Sequence, residues 1–69
     1  MGKLPVLSGR ELIRILERKE FVIVRSKGSH VSLRKDEFKT VVPLHDELAR
    51  GTLVGILKQC GLTREDLNA

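Results

Sequence analysis

The sequence predicts an α+β fold of order α-β-β-β-α, a three-stranded antiparallel sheet with two helices packed on one face and a short helical turn at the C-terminus. Three observations carry this reading. Two segments repeat apolar residues at helical spacing, the first behind a capping signal and the second ahead of a glycine. Three short β-rich stretches lie between them, separated by turn residues. No linker, low-complexity tract or internal repeat interrupts the order, so residues 1–69 read as one small domain.

The first helix is expected over residues 9–19. Ser8-Gly9-Arg10-Glu11 has the form of a capping box, in which Ser8 accepts from free N–H groups and Glu11 reaches back to it. Leu7 and Leu12 fit a hydrophobic staple around that cap. Leu12, Ile13 and Leu16 then repeat with helical period. Arg10, Arg14 and Arg18 fall at i, i+4, i+8 and form a cationic stripe, either an ordinary wetted face or one that meets phosphates.

Residues 21–25, Phe-Val-Ile-Val-Arg, are a β-branched run and read as the first strand. Ser26-Lys27-Gly28-Ser29 is a turn, with Gly28 at the position that needs positive φ. His30-Val31-Ser32-Leu33-Arg34 alternates polar and apolar, which puts Val31 and Leu33 on the core face and His30, Ser32 and Arg34 on the other. Lys35-Asp36-Glu37-Phe38 is the second connection. Lys39-Thr40-Val41-Val42 is the third strand, expected to stop at Pro43.

An irregular connection over residues 44–50 leads to the second helix, opened by Gly51-Thr52. Leu53, Ile56, Leu57 and Cys60 form its apolar stripe, and Gly61 ends it. Thr63-Arg64-Glu65-Asp66 resembles a further cap, followed by a last turn ending near Leu67. Two helices with one apolar stripe each cover one face of the sheet. The other face, with His30, Ser32 and Arg34, is left to water or a ligand.

Composition excludes several classes. One cysteine forms no internal disulfide, and zinc sites of the Cys₂His₂ or Cys₄ kind lack ligands. His45-Asp46-Glu47 offers metal-type ligands, but adjacent residues do not converge on one ion, so no metal and no cofactor are expected. No apolar run approaches a membrane span, and residues 1–7 lack the apolar core of a secretory signal. A soluble cytoplasmic protein without membrane attachment is the expectation. Ser-His-Asp, phosphate-loop and dinucleotide motifs are missing. Two aromatic residues in all argue against a platform that stacks bases on rings.

The net charge of +4 is unevenly divided. Residues 1–35 hold nine basic and three acidic residues, whereas residues 36–69 hold four basic and six acidic. A basic half attracts a polyanion, and nucleic acid is the obvious one in cytoplasm. His30 is the leading chemical candidate, because an imidazole gives and takes a proton near neutral pH. Lys27 and Arg34 flank it and suit a phosphate. On an RNA strand such a set would act on the 2′-OH and the adjacent phosphodiester. His45 is a candidate second acid/base group, or it pairs with Asp46. Cys60 reads as a small core residue.

The chain resembles the HicA-type toxins, the small mRNA interferases of type II toxin–antitoxin pairs. The residues that carry the resemblance are Ser8-Gly9-Arg10-Glu11-Leu12, Arg25-Ser26-Lys27-Gly28-Ser29-His30, Val41-Val42-Pro43-Leu44-His45, Gly51-Thr52-Leu53 and Ile56 through Leu62. The resemblance implies a fold like the double-stranded-RNA-binding domain and a metal-independent RNA endonuclease with His30 as catalytic residue and His45 in support. It also implies a HicB-type antitoxin that covers the active face. Lys27, Gly28, Ser29, Ser32, Arg34, Arg25, Arg10 and Arg14 are the expected RNA-binding residues. The chain departs from the pattern at Glu20, where many members have glycine, and at Val31, where many have a second histidine. The alternative on the same fold is a non-catalytic RNA-binding module, or a domain whose basic face serves only an acidic protein.

Overall fold

In the computed structural model, which describes residues 4–68, the elements follow the expected order. They are α1 (Gly9–Arg18), β1 (Val22–Lys27), β2 (His30–Lys35), β3 (Phe38–Pro43), α2 (Arg50–Cys60) and a 3-10 turn over Arg64–Asn68. The part of the leader expectation that concerns residues 1–3 lies outside the described residues. The sheet order is β1-β2-β3, with both pairings antiparallel.

The capping box forms as the sequence implies. The Glu11 amide donates to Ser8 Oγ at 3.1 Å and the Ser8 amide donates to Glu11 Oε1 at 2.9 Å. Both helices end in the same way. At the end of α2 the Leu62 amide donates to the Leu57 carbonyl at 2.9 Å and the Gly61 amide to the Lys58 carbonyl at 3.2 Å. At the end of α1 the Phe21 amide donates to the Leu16 carbonyl at 3.0 Å and the Glu20 amide to the Glu17 carbonyl at 2.9 Å. Each is a Schellman closure, which requires a left-handed residue after the cap. Gly61 supplies it with φ 68, the usual solution. Glu20 supplies it with φ 75, which costs a residue with a Cβ about 1–2 kcal/mol. Glu20 thus meets, with a Cβ-bearing residue, a backbone demand that glycine usually answers.

Val31 and Leu33 face the core and join Leu12, Leu16, Phe21, Val42, Leu53, Ile56, Leu57 and Leu67 in one buried cluster. Cys60 belongs to this cluster, and burial pushes its thiol pKa up, partly opposed by a hydrogen bond with Thr40. The Thr40 hydroxyl, buried in the same layer, donates to Gln59 Oε1 at 2.7 Å. The expected alternation along β2 is thus observed.

All three strands depart from the expected bounds, and β2 runs one residue further, to Lys35. β1 begins after Phe21 and runs on to Lys27, because Phe21 is the buried residue that closes α1. β3 takes in Phe38 and Pro43, with Pro43 paired to His30. Proline is tolerated there because it ends an edge strand. The next amide, that of Leu44, donates to the Ser29 carbonyl at 2.7 Å.

Gly9 opens α1 in close contact with the end of β3. A Cβ at Gly9 would run into the Pro43 carbonyl oxygen, a backbone atom that cannot swing aside. The Gly9 amide donates to the His45 carbonyl at 2.9 Å. The start of α1, the end of β3 and the β1–β2 hairpin are thereby fixed at one end of the molecule.

Candidate functional site

The strand registers define the open face of the sheet, since directly opposed residues in antiparallel strands project to the same side. Three cross-strand rows result. Lys27, His30 and Pro43 form the first, Arg25, Ser32 and Val41 the second, and Val22, Arg34 and Lys39 the third. Four cations, one histidine and one serine share this face, and no carboxylate stands in any row.

A β-bulge creates that arrangement. Ile23 pairs with Leu33 and Arg25 pairs with Ser32, so Val24 has no partner. Because side chains alternate with period two, one extra residue reverses the facing of everything after it. In an unbulged ladder, with Val24 opposite Ser32, Arg25 and Lys27 would lie on the core side of the sheet. With the bulge, they stand beside Ser32 and His30. The period-two reading of β1 does not reveal this. The only sequence signal is that two cations close the strand, where burial would be costly.

Arg25, Lys27, His30 and Ser32 line one concavity. Lys27 and His30 are opposed across a two-residue hairpin of Gly28 and Ser29. Gly28 has φ 59, the left-handed value expected at the first position of such a turn. His30 is exposed and Ser32 is half-buried, so a ligand would reach both. Among the described residues none of Arg25, Lys27 and Lys39 is held in an ion pair, which leaves their charge open to an incoming anion.

The remaining expected residues are placed as follows. Arg34 lies in the third row, at the far end of the face, where its Nε donates to the Asp36 carbonyl at 3.0 Å. It lines a separate hollow with Glu20, Val22, Lys35 and Asp36. Arg10 and Arg14 are exposed on α1, which packs beneath the sheet, so they stand apart from this face. His45 is exposed in the segment after β3, at the hairpin end. Lys39, Val41, Val22 and Val24 complete the face, and the sequence reading does not single them out. Period-two reading of β3 against β2 is the signal that finds Lys39 and Val41.

A second concavity adjoins the first. Val24, Ser32, Lys39, Val41 and Gln59 border it, with Leu33 and Thr40 also contributing. Among the described residues no three His, Cys, Asp or Glu side chains are grouped to hold a metal ion. No helix of the described residues is long and apolar enough to cross a membrane.

The fold and face define a small α+β domain that presents a cationic open sheet with one histidine in it. A family model described as the HicA toxin of bacterial toxin–antitoxin systems matches residues 9–62, which spans both helices and all three strands. The chain belongs to the HicA toxin family. It therefore has the role of a toxin, and a toxin–antitoxin system supplies it with an antitoxin partner. Comparison with the curated proteins gives no match.

Proposed function

We propose that this toxin is an RNA endonuclease that uses His30 as its acid/base group and requires neither metal nor cofactor. One observation carries the reading. His30 is the sole imidazole in a concavity otherwise made of Arg25, Lys27 and Ser32, and imidazole is the side chain that exchanges a proton near neutral pH. The cations draw in a phosphodiester and offset the charge that builds on it in the transition state.

The chemistry uses the nucleophile that RNA carries. The 2′-hydroxyl loses its proton to a base, and its oxygen attacks the adjacent phosphorus. The bond from phosphorus to the 5′-oxygen breaks, and that oxygen takes up a proton. The products are a 2′,3′-cyclic phosphate and a 5′-hydroxyl. His30 performs one of the two proton transfers, and His45 supports the other from the neighbouring segment. Gly28 and Ser29 bring the hairpin backbone close to the substrate, and Lys27 and Arg25 hold the phosphate. Arg34 extends the cationic track, while Arg10 and Arg14 offer a second, separate contact to a long RNA.

The partner is a HicB-type antitoxin whose carboxylates meet the same cations and close the face. Reaction in the cytoplasm, where mRNA is accessible, follows from this role.

The test is cleavage of a defined RNA by purified protein in the presence of EDTA. The wild type cuts, His30→Ala does not, and both show the same far-UV circular dichroism. Equal cutting by the two proteins would overturn the assignment. Salt-sensitive binding without cutting would establish the non-catalytic module instead.

A further inference from the structure

We infer that the open face holds a seat for one unpaired nucleobase beside the phosphate concavity, so that the substrate is single-stranded RNA. This rests on the RNA-cleaving reading above and specifies the strand state of the substrate. The seat is the second concavity, framed by Val24, Val41, Ser32, Lys39 and Gln59.

The chemistry of the seat matches a base. Val24 is 57% exposed and Val41 is 47% exposed, so two aliphatic side chains are offered to solvent between the cations of this face. A nucleobase has apolar faces and a polar rim. Val24 and Val41 suit the faces, while Ser32, Lys39 and Gln59 suit the rim. Gln59 accepts from Thr40 through Oε1, which leaves its amide N–H groups as donors.

Position argues the same way. Ser32 borders both concavities, so the seat and the His30 site share a wall. His30 and Ser32 are two residues apart on one strand, a step of roughly 6.6–6.8 Å. That step suits successive nucleotides of an extended strand, one phosphate at His30 and the neighbouring base at Val41. Charge selects the occupant. Arg25 and Lys27 lie on one side of the seat and Lys39 borders it, a pattern complementary to a polyanion that carries apolar rings. A duplex keeps its bases stacked and paired, and so cannot fill the seat.

Fluorescence anisotropy with a labelled 2′-O-methyl decamer reads binding without cleavage. The probes are the unstructured strand, its duplex, and strands with a single abasic position. The wild type binds the single strand at least about tenfold tighter than the duplex at equal salt, in line with the worth of a base contact. Val41→Ser and, separately, Val24→Ser weaken single-strand binding about fivefold, below the loss of an aromatic platform, and leave duplex binding unchanged. One abasic position reproduces the Val41→Ser loss, and the two together lose no more than either. Equal affinity for strand and duplex overturns the seat, as do valine variants that affect neither RNA. The cationic reading survives both results. Absence of binding to every probe overturns the RNA reading itself and the seat with it.

Discussion

The Leu44 amide donates to the Ser29 carbonyl at 2.7 Å, which joins the residue before His45 to the residue before His30. The two histidines of the chain are far apart in sequence and reach the same end of the sheet through this bond. The His45 carbonyl is held in turn by the Gly9 amide at 2.9 Å, so the segment is anchored on both sides. Only the His30 imidazole borders the cationic concavity.

This asymmetry sets unequal roles. His30→Ala is expected to lower the single-turnover cleavage rate by about 10²–10⁴-fold, the usual worth of a positioned acid or base. His45→Ala is expected to lower it by about tenfold, because a supporting group is partly replaced by water. Rates measured with saturating protein separate the two. An equal loss from both variants would make them partners of equal standing.

The cations on the open face should appear as a salt dependence. Each phosphate contact with a single strand contributes roughly 0.7 to the slope of log affinity against log salt. Lys27→Ala is expected to weaken binding across RNA sequences and to reduce that slope by about 0.7. Arg25→Ala should act likewise. Arg14→Ala, remote from the face, is expected to change the slope for a short oligonucleotide by much less.

Glu20 tests the backbone. It holds φ 75 at the closure of α1, where its Cβ costs about 1–2 kcal/mol. Glycine removes that cost but frees the unfolded chain, which returns about 0.4–1 kcal/mol. Glu20→Gly is therefore expected to stabilise the fold by about 0.5–1 kcal/mol in urea unfolding. Destabilisation would show that the Glu20 side chain contributes more than its backbone costs.

Asp66 gives the acid limb of stability. Its carboxylate accepts from the Thr63 amide at 2.8 Å, the main reason its pKa lies below the ordinary 3.8, with the Thr63 hydroxyl and Lys19 adding to the effect. A depressed folded pKa contributes stability above the unfolded value, and that contribution is lost as pH falls through the folded one. The melting temperature is expected to decline as pH drops below about 4, and Asp66→Asn should reduce that decline. An unchanged acid profile in Asp66→Asn would mean that the Thr63 contacts do not survive in solution.

The elements are legible in the sequence because local chemistry and burial agree. Ser8 and Glu11 mark the start of α1, the strict alternation of Val31 and Leu33 decides the facing of β2, and Gly61 marks the end of α2. The composition of the site is only half legible. His30 and Ser32 follow from the alternation, but the facing of Arg25 and Lys27 does not. Val22, Ile23 and Val24 are all β-branched, so an extra residue among them leaves no trace in the pattern. Glu20 is equally silent, because a left-handed residue without glycine carries no sequence signal of its own.

The bulge at Val24 bears on self-association as well as on the facing of two cations. β1 is an edge strand with Val22, Ile23 and Val24 all largely exposed, a composition prone to pairing with a copy of itself. A second β1 laid parallel and in register along this edge would meet a broken ladder and bring Arg25 and Lys27 against their own counterparts. The charges of Arg25 and Lys27 thus oppose such pairing. Any polyanion that neutralises them also removes the repulsion. Turbidity on titration with RNA, or with an acidic partner in excess, becomes a property of this edge, set by the balance between the aliphatic run from Val22 to Val24 and the two cations that follow it on one short strand.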